Sequence, residues 1–321
     1  MKVKKAEVII AGAGIGGLTA AACLLKKGFE VRVYEQAPQL GEVGAGIQQS
    51  ANAVKVLYHL GLRDALEKVA VKPRDYEFRR YDTAELLHKI PFAGAHEEAH
   101  GAPYYHIHRA DIHRILADAV LALDPDAIIL GARATGYSES AAAVQVQFAG
   151  GASAEGDLLV GADGIKSAIR SQIVGETPVT YTGYVAWRLL VPRTRLPADI
   201  MERVGVVWCG PKNHAVVYWL CSGEVLNFVG IPERAAWEEE SWTQRRPWEE
   251  LKADYVGWHP KIQAIIDAAD RNECFRWALN NRKPVFNWST RRATLLGDAA
   301  HPTLPFLAQG AVMAIEDAAV L

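Results

Sequence analysis

Three closely spaced glycines near the start of the chain have the pattern of a phosphate-binding turn. Gly12, Gly14 and Gly17 follow a β-branched apolar run and open an alanine- and leucine-rich stretch that ends at Gly28. In such a turn the first glycine permits the tight bend, the second lets the backbone approach a pyrophosphate, and the third lets helix and strand pack closely. Because a helix N-terminus also attracts anions, the spacing predicts a dinucleotide-binding βαβ unit.

An acidic residue ends the second strand of this unit. Glu35 follows the segment FEVRVY, where a carboxylate can accept hydrogen bonds from the ribose hydroxyls of an adenosine. The same charge repels a 2′-phosphate, which disfavours NADP as the ligand of this fold. NAD and FAD both stay open at this point.

Two further pairs of glycine and aspartate follow strand-like runs. Asp163-Gly164 lies in GADGIKSAIR, and Gly297-Asp298 lies in GDAAHP, ahead of a second helix start at Gly310. An NAD dehydrogenase needs no additional nucleotide signature after its first unit. The two pairs therefore argue against an NAD dehydrogenase.

A histidine and a tyrosine in PKNHAVVYWL carry side chains suited to proton transfer. His214 and Tyr218 are four positions apart, which on a strand places both on one face. At about 3.3 Å per residue their α-carbons lie roughly 13 Å apart. They would converge on opposite ends of one small aromatic ring or join through a relay; packing inside a sheet is the alternative.

Composition excludes several classes of function. The 321 residues carry a net charge of -2, so no overall field favours nucleic acid or an anionic membrane. No run reaches the roughly 18 apolar residues of a membrane helix, and the N-terminus lacks the cleavage site of a signal peptide. The four cysteines have no metal-ligand spacing and are expected to be free thiols in a reducing cytoplasm.

The motifs belong to two kinds of element that alternate along the chain. The nucleotide-type features come first, near the middle and last, and they indicate an α/β unit with a parallel sheet. From about Thr180 the sequence is aromatic, alternating and rich in tight turns, which predicts an antiparallel sheet. Asp75–Ile90 also indicates strands outside the first sheet.

With its three motifs in this order, the chain resembles the flavoprotein aromatic hydroxylases, the single-component FAD monooxygenases typified by p-hydroxybenzoate hydroxylase. The segments GEVGAGIQQSANAV and HRADIH are also similar to that family. AQGAVMAIEDA is especially similar to members that act on salicylate, 3-hydroxybenzoate and 6-hydroxynicotinate. The resemblance covers essentially the whole chain.

The resemblance implies a Rossmann-like FAD-binding domain with an interleaved antiparallel substrate domain. The FAD-binding domain is expected in residues 1–73, 100–178 and 275–321, and the substrate-binding sheet in residues 74–99 and 179–274. Relatives generally continue past the helix that begins near Gly310, so the C-terminal helices of the family are expected to be missing from this chain.

The activity implied is hydroxylation of a phenolic or N-heteroaromatic acid. It uses FAD, NADH or NADPH, and O2, and passes through a flavin C4a-hydroperoxide. The expected partners are a small aromatic acid and, as an open point, a second copy of the chain in a homodimer. A flavin-dependent dehydrogenase or oxidase without oxygen transfer, and a flavin-binding regulatory protein without catalysis, are the alternatives.

The resemblance also assigns cofactor contacts residue by residue. Asp298 would bind the ribityl hydroxyls, and Gly310 and Ala311 would offer N–H groups to the N1–C2=O edge of the flavin. Arg109 would reach the phosphate or ribityl region. The other expected contacts are Gln36 and Ala134 beside the adenosine, Asp163 at the pyrophosphate, and Gly46 alongside the flavin ring. Arg170 is expected either toward the nicotinamide cofactor or, equally, on the surface of its helix.

A substrate pocket is expected next to the flavin. Tyr218 is predicted to contact or deprotonate the phenol with the help of His214, and Gln48 to face the substrate side. Arg188 is open between pairing with a substrate carboxylate and a structural role, and His301 is predicted to orient its loop without binding a metal. The residues proposed as walls of a dry pocket, for which core packing is the alternative, are Trp187, Trp208, Trp219, Pro305 and Phe306.

Overall fold

The computed structural model describes residues 5–41, 45–235 and 245–321. Gly44, the first residue of the predicted GAGIQQ segment, lies outside these residues, as do 1–4 and the stretch 236–244. In the described residues the strands are β1 Glu7–Ala11, β2 Glu30–Tyr34, β3 Gly46–Gln49, β4 Asp75–Arg80, β5 Leu86–Pro91, β6 Tyr105–His108, β7 Ile128–Ile129, β8 Ala134–Glu139, β9 Val144–Phe148, β10 Ser153–Gly156, β11 Leu158–Gly161, β12 Thr180–Pro192, β13 Gly205–Gly210, β14 Asn213–Leu220, β15 Val225–Pro232, β16 Phe275–Asn281 and β17 Ala293–Leu295.

The α-helices of the same residues are α1 Ile15–Lys27, α2 Ala51–His59, α3 Arg63–Val69, α4 Ala95–His100, α5 Arg109–Leu123, α6 Ala168–Val174, α7 Trp248–Asp254, α8 Pro260–Asp267 and α9 Gly310–Val320. Short 3₁₀ turns at Gly297–Ala299 and Pro305–Leu307 precede the last helix. None of the helices in the described ranges is both long and apolar enough to cross a bilayer.

A five-stranded parallel sheet forms the nucleotide half. Its strand order is β17-β11-β1-β2-β7, and every neighbouring pair in it is parallel. The apolar run of β1 is buried on both faces, as expected of a parallel strand under helices, whereas β2 buries Val31 and Val33 on one face. Helix α1 ends at Gly28, whose φ of 89° is the left-handed conformation that terminates a helix. The predicted βαβ unit and α/β class are confirmed.

A seven-stranded sheet forms the other half, in the order β16-β12-β15-β14-β13-β4-β5. Its neighbours are antiparallel except for β13 and β4, which run parallel. One face packs on α7 and α8 around a core that includes Phe228, Tyr255 and Ile262. The opposite face looks toward the nucleotide half. Because strand side chains alternate between faces, each strand divides its residues between the core and this second face.

The segment boundaries differ from the prediction at one point. Strand β16 was expected within the FAD-binding segment 275–321, but it pairs with β12 as the edge strand of the seven-stranded sheet. Residues 282–292 contain no strand, and only β17 returns to the parallel sheet. The chain therefore crosses between the halves after Asn281, because β16 completes the wall that faces the cleft.

Candidate cofactor and substrate site

The first glycine motif forms a turn in which each glycine has a separate physical reason. Gly12 has a φ of +106°, and a Cβ on it would lie 2.4 Å from the carbonyl oxygen of Ala162. A Cβ on Gly17 would lie 2.0 Å from the carbonyl oxygen of Gly12. A Cβ on Gly14 would meet nothing within 4 Å. The turn is therefore packed at two glycines and open at the third, as a cradle for a pyrophosphate requires.

Glu35 braces this turn. Its two carboxylate oxygens accept hydrogen bonds from the backbone N–H of Ala13 at 2.8 Å and of Ala37 at 2.9 Å. A carboxylate has further lone pairs to accept hydroxyl groups of a ribose. Glu35 lines a cavity of about 430 Å³ together with Gln36 and Ala134.

Asp163 lines the same cavity but is mainly engaged at the start of α6. It accepts hydrogen bonds from the hydroxyl of Ser167 at 2.5 Å and the N–H of Ala168 at 2.8 Å. Burial raises its pKa, and these hydrogen bonds act in the opposite direction. The carboxylate thus holds the helix start beside the cleft, and a contact with the pyrophosphate stays a prediction.

Arg170 does not reach the position predicted for it. Its residue is 3% exposed, and Nη1 donates to the carbonyl oxygens of Ala299 at 3.3 Å and Ala300 at 3.5 Å. It lies on the inner side of α6, next to buried Ile169. The expected contact with an incoming nicotinamide is therefore corrected: Arg170 ties α6 to the Gly297–Ala300 segment.

A second cavity of about 320 Å³ continues from the first. The two share Gly14, Ala162 and Gly164 as lining residues, so they form one cleft. Each residue predicted to bind the cofactor lines one part or the other, namely Gly12, Gly14, Gly17, Glu35, Gln36, Gly46, Arg109, Ala134, Asp163, Asp298, Gly310 and Ala311. A long dinucleotide fits this arrangement, because the donors and the open glycine follow one another along the cleft.

The segment from Gly297 to Ala311 forms one wall of the second cavity. Gly297 has a φ of +60°, and Asp298 projects from this turn into the cleft. Desolvation raises the pKa of Asp298, whereas the charge of Arg109 lowers it. Helix α9 starts at Gly310, so its first N–H groups lie at the cavity where they can donate to an electron-rich ring edge.

His301 is held by a side chain of α9, the helix that follows this wall. Its Nε2 lies 2.6 Å from Oδ2 of Asp317, the same oxygen that accepts the N–H of Gly297 at 2.9 Å. The carboxylate of Asp317 raises the pKa of His301. His301 therefore fastens the loop to α9, and the described residues contain no cluster of His, Cys, Asp and Glu side chains that would hold a metal.

The seven-stranded sheet supplies the opposite wall. His214 and Tyr218 of β14 both face the cavity, together with Val216 between them. The ring centroids of His214 and Phe306 are 5.9 Å apart. Burial lowers the pKa of His214 and raises the pKa of Tyr218. At neutral pH the wall therefore presents a neutral imidazole and a protonated phenol.

Gln48 belongs to a hydrogen-bonded group beneath Tyr218. Its Oε1 accepts the hydroxyl proton of Tyr104 at 2.5 Å, and its Nε2 donates to the Tyr76 hydroxyl at 3.4 Å. His106 is fully buried and lies against the Tyr218 ring with centroids 4.4 Å apart. The sequence motifs did not indicate Tyr76, Tyr104 and His106. The available signal was the pairing of YHIH with GIQQ, which brings His106 opposite Gln48.

Three tryptophans predicted for the pocket lie in the core on the other face of the sheet. The indole N–H of Trp187 donates to Asp254 at 2.8 Å, and that of Trp219 donates to the carbonyl oxygen of Met201 at 3.2 Å. Trp208 stacks on His259 with centroids 5.3 Å apart. Strand alternation explains the correction, because the neighbour of a cavity-facing residue points into the core.

Other aromatic and apolar residues line the cavity instead. Trp277 of β16 is the tryptophan among the described lining residues, and Pro305 and Phe306 are at the predicted position. Phe306 also meets Tyr184 edge to face, with centroids 5.8 Å apart. This second cavity, the ring cavity, is therefore bounded by the loop of residues 302–306, the prolyl loop, on one side and by five strands of the large sheet on the other.

Comparisons with known proteins agree with this geometry. A family profile described as an FAD binding domain matches residues 5–321. The chain is 39% identical over 315 residues to 3-amino-4-hydroxybenzoate 2-monooxygenase PtnB3 of Streptomyces platensis, covering 98% of this chain and 78% of the relative. It is 36% identical over 319 residues to 6-hydroxynicotinate 3-monooxygenase of Pseudomonas fluorescens, covering 98% and 81%.

A solved structure gives the same result for the fold. Klebsiella pneumoniae HpxO complexed with FAD and uric acid superposes with a TM-score of 0.87 at 31% identity, over 98% of this chain and 78% of that chain. The prediction of an FAD monooxygenase is confirmed, and the alternatives without oxygen transfer or without catalysis are not favoured. The chain belongs to the FAD-binding domain family, as an FAD-dependent aromatic-ring monooxygenase.

Proposed function

We propose that this protein hydroxylates a small phenolic or N-heteroaromatic acid, with NADH or NADPH as the reductant and O2 as the oxygen source. FAD bound along the cleft would supply the transfer of electrons and the activation of oxygen. One observation carries the proposal: the proton-transfer pair His214 and Tyr218 faces the cavity whose other wall is the Asp298–Ala311 segment. The relatives with printed substrates act on 3-amino-4-hydroxybenzoate, 6-hydroxynicotinate and 3-hydroxybenzoate.

The roles of the pair follow from their protonation. Because burial raises the pKa of Tyr218, its phenol stays protonated and is suited to hydrogen bonding with the substrate hydroxyl rather than to acting as a free tyrosinate base. Burial lowers the pKa of His214, so its neutral imidazole can accept a proton. We assign substrate positioning to Tyr218 and proton acceptance to His214.

Gln48 holds the Tyr218 side of the pocket in place. Its amide is oriented by Tyr104 and Tyr76, and it has no group that titrates. Gly46 passes directly under the same ring, since a Cβ on it would lie 2.7 Å from Cε2 of Tyr218. Gln48 is therefore proposed to position the ring and the substrate, without acid–base work of its own.

The apolar part of the cavity serves to keep water away from the reacting ring. Val216, Val229 and Ile231 of the sheet face Leu304 and Phe306 of the prolyl loop. Exclusion of water protects reactive intermediates from side reactions in closed active sites. These residues offer no polar atom beyond their backbone, so a flat aromatic ring is the ligand that suits the gap.

The cofactor contacts are proposed from the cleft itself. The pyrophosphate would lie over Gly14 at the start of α1, and the adenosine beside Glu35 and Ala134. The ribityl chain would pass Asp298 and Arg109, and the pyrimidine edge would meet the N-terminus of α9 at Gly310 and Ala311. Each assignment pairs a hydrogen-bond donor or acceptor of the chain with the group that needs it.

The test is a substrate panel with the purified protein. We expect bound FAD, NADH or NADPH oxidation that rises with the right hydroxylated aromatic acid, and one atom of labelled O2 in the product. Turnover without label would indicate a dehydrogenase or oxidase. Bound FAD with no acid-stimulated turnover across the panel would indicate a non-catalytic flavoprotein and contradict the proposal.

Two further assignments complete the proposal. A cytoplasmic location is supported by the cysteines, since Cys23, Cys209, Cys221 and Cys274 are free thiols. A homodimer is proposed from the family resemblance and is measured by light scattering after gel filtration. A mass of one chain at micromolar concentration would contradict it.

A further inference from the structure

Arg188 lies on the cavity side of β12. Its neighbours along the strand, Trp187 and Leu189, face the core on the other side of the sheet. Arg188 lines the ring cavity with His214 and Tyr218. Its guanidinium lies over the Trp277 ring, 5.0 Å from the centroid, which fixes the plane of the fork against the wall.

Arg188 differs from other arginines of the same sheet in having no anionic partner. Arg276 pairs with Glu250 at 2.7 Å on the core face, and Arg79 of β4 pairs with Glu77 at 2.7 Å. Within residues 5–41, 45–235 and 245–321, no carboxylate oxygen lies within 4.0 Å of the Arg188 guanidinium, and its Nε makes no hydrogen bond. The Arg188 guanidinium is therefore able to pair with an anion bound in the cavity.

The charges of the cavity wall do not balance. Among the described lining residues the acid is Asp298 and the arginines are Arg109 and Arg188. The positive charge of Arg109 attracts the Asp298 carboxylate and repels the Arg188 guanidinium. Desolvation lowers the pKa of Arg188, yet a guanidinium stays charged in proteins. A desolvated cation without a partner is unfavourable, so an anionic ligand would be bound preferentially.

The strand register gives the backbone separation between Arg188 and the proton-transfer pair. Arg188 pairs with Val229 of β15, and Val229 pairs with Val216 of β14. Neighbouring strands are about 4.8 Å apart, so the α-carbon of Arg188 lies roughly 10 Å from that of Val216, which is midway between His214 and Tyr218. One substituted benzene ring can span this gap.

We propose that Arg188 binds the carboxylate of the aromatic acid, so that the ring lies over Val229 and Val216 and its hydroxyl-bearing edge meets His214 and Tyr218. A planar guanidinium matches a carboxylate through two parallel hydrogen bonds. Arg188 is thereby a specificity-determining residue that selects acids over neutral phenols. This assignment rests on the proposed function and adds which end of the substrate each wall takes.

The test compares an acid with its primary amide. Dissociation constants for 3-hydroxybenzoate or 6-hydroxynicotinate, whichever the wild type binds more tightly, and for the matching amide are measured by the perturbation of the flavin absorbance. We expect Arg188→Gln to weaken binding of the acid at least about 30-fold, because a buried charge pair is lost. Binding of the amide should change less than about threefold.

Two variants control for structural damage. Arg193→Gln removes an arginine that stacks on Trp219 at 5.1 Å outside the cavity, and it should leave both dissociation constants unchanged. Arg188→Lys keeps the charge but loses the fork, so it should weaken the acid about tenfold more than the amide. If Arg188→Gln does not fold, the lysine variant decides the question.

The outcomes separate the two proposals. Equal weakening of acid and amide in the Arg188 variants, or a wild type that does not prefer the acid, overturns the carboxylate assignment while the hydroxylase proposal stands. A selective loss of acid binding in a protein that never incorporates labelled oxygen supports the assignment and contradicts the hydroxylase proposal. Selective loss together with labelled product supports both.

Discussion

The two ends of the cleft are built from different parts of the chain. At the nucleotide end, backbone atoms of a short contiguous segment form much of the surface, as in the glycine turn of residues 12–17. At the ring end, side chains from β4, β12, β14, β15 and β16 face the start of α9, and these strands come from positions far apart in sequence.

The difference explains which features tolerate change. A backbone-built site depends on conformation, and glycine spacing is enough to produce it. A side-chain site depends on which face of each strand turns inward, and a shift of one position exchanges the two faces. We therefore expect the nucleotide end to fail through backbone clashes and the ring end to fail through lost side-chain chemistry.

The largest effect is expected from a single methyl group in the glycine turn. Gly17→Ala places a Cβ 2.0 Å from the carbonyl oxygen of Gly12, so urea unfolding of the FAD-free protein should show a loss of at least about 3 kcal/mol. Alanine otherwise favours a helix by about 1 kcal/mol over glycine. A stable Gly17→Ala protein would show that the turn can relax.

Gly14→Ala is the matched control for this change. Gly14 has a φ of -71°, which alanine adopts freely, and open space lies beside it. Its FAD-free stability should stay within about 1 kcal/mol of the wild type, while retention of FAD falls because the methyl group occupies the cradle. Full retention of FAD would contradict the placement of the pyrophosphate over Gly14.

The next effect separates the two faces of β14. Tyr218→Phe should lower kcat about 100-fold, because the hydroxyl that contacts the substrate is removed. Trp219→Phe should leave kcat within about threefold and instead reduce stability by about 1–3 kcal/mol, since it removes a buried indole whose N–H is hydrogen-bonded. Steady-state kinetics and urea unfolding measure both; the opposite pattern would reverse the assignment of faces.

A smaller effect concerns the buried histidine behind Tyr218. Burial lowers the pKa of His106 to about 3, whereas the unfolded chain titrates near 6.5. Between these values the unfolded state binds more protons, so stability is full above pH 6.5 and is lost as the pH falls. From pH 7.5 to 5 the wild type should lose about 2 kcal/mol more than His106→Asn.

The control for this prediction is an exposed histidine. His59→Asn at the end of α2 should keep the wild-type pH dependence of urea unfolding. If His106→Asn keeps it as well, His106 is solvated or hydrogen-bonded in solution, and the ring end is more open than the packing around Tyr218 indicates.

Most of the nucleotide half was predicted correctly from short sequence motifs. The β1–α1–β2 unit, Glu35 and the Gly297–Asp298 turn each lie within a short segment, and all of them meet at one cleft. Arg170 was placed wrongly because α6 is only seven residues long, too short for its inward face to be read from a periodic pattern.

The ring half was predicted less completely. The spacing of His214 and Tyr218 correctly put both on one face of a strand. The same alternation excludes Trp219 from that face and puts Trp187 and Arg188 on opposite faces of their strand. The core positions of these two tryptophans could therefore have been predicted from the alternation of side chains along a strand. The position of Trp277 in the pocket could not be predicted in this way, since it depends on β16 pairing with β12.

By itself the sequence determined the α/β class, the phosphate-binding turn and the order of the cofactor motifs, because each depends on residues within one turn or one strand. Only the tertiary structure decided which face of the seven-stranded sheet lines the cavity, where β16 belongs and that Arg188 has no anionic partner in the described part of the chain. The physical reason is that backbone conformation is a local property of the chain. Burial, pairing of strands and balance of charge arise only when segments distant in sequence are brought into contact.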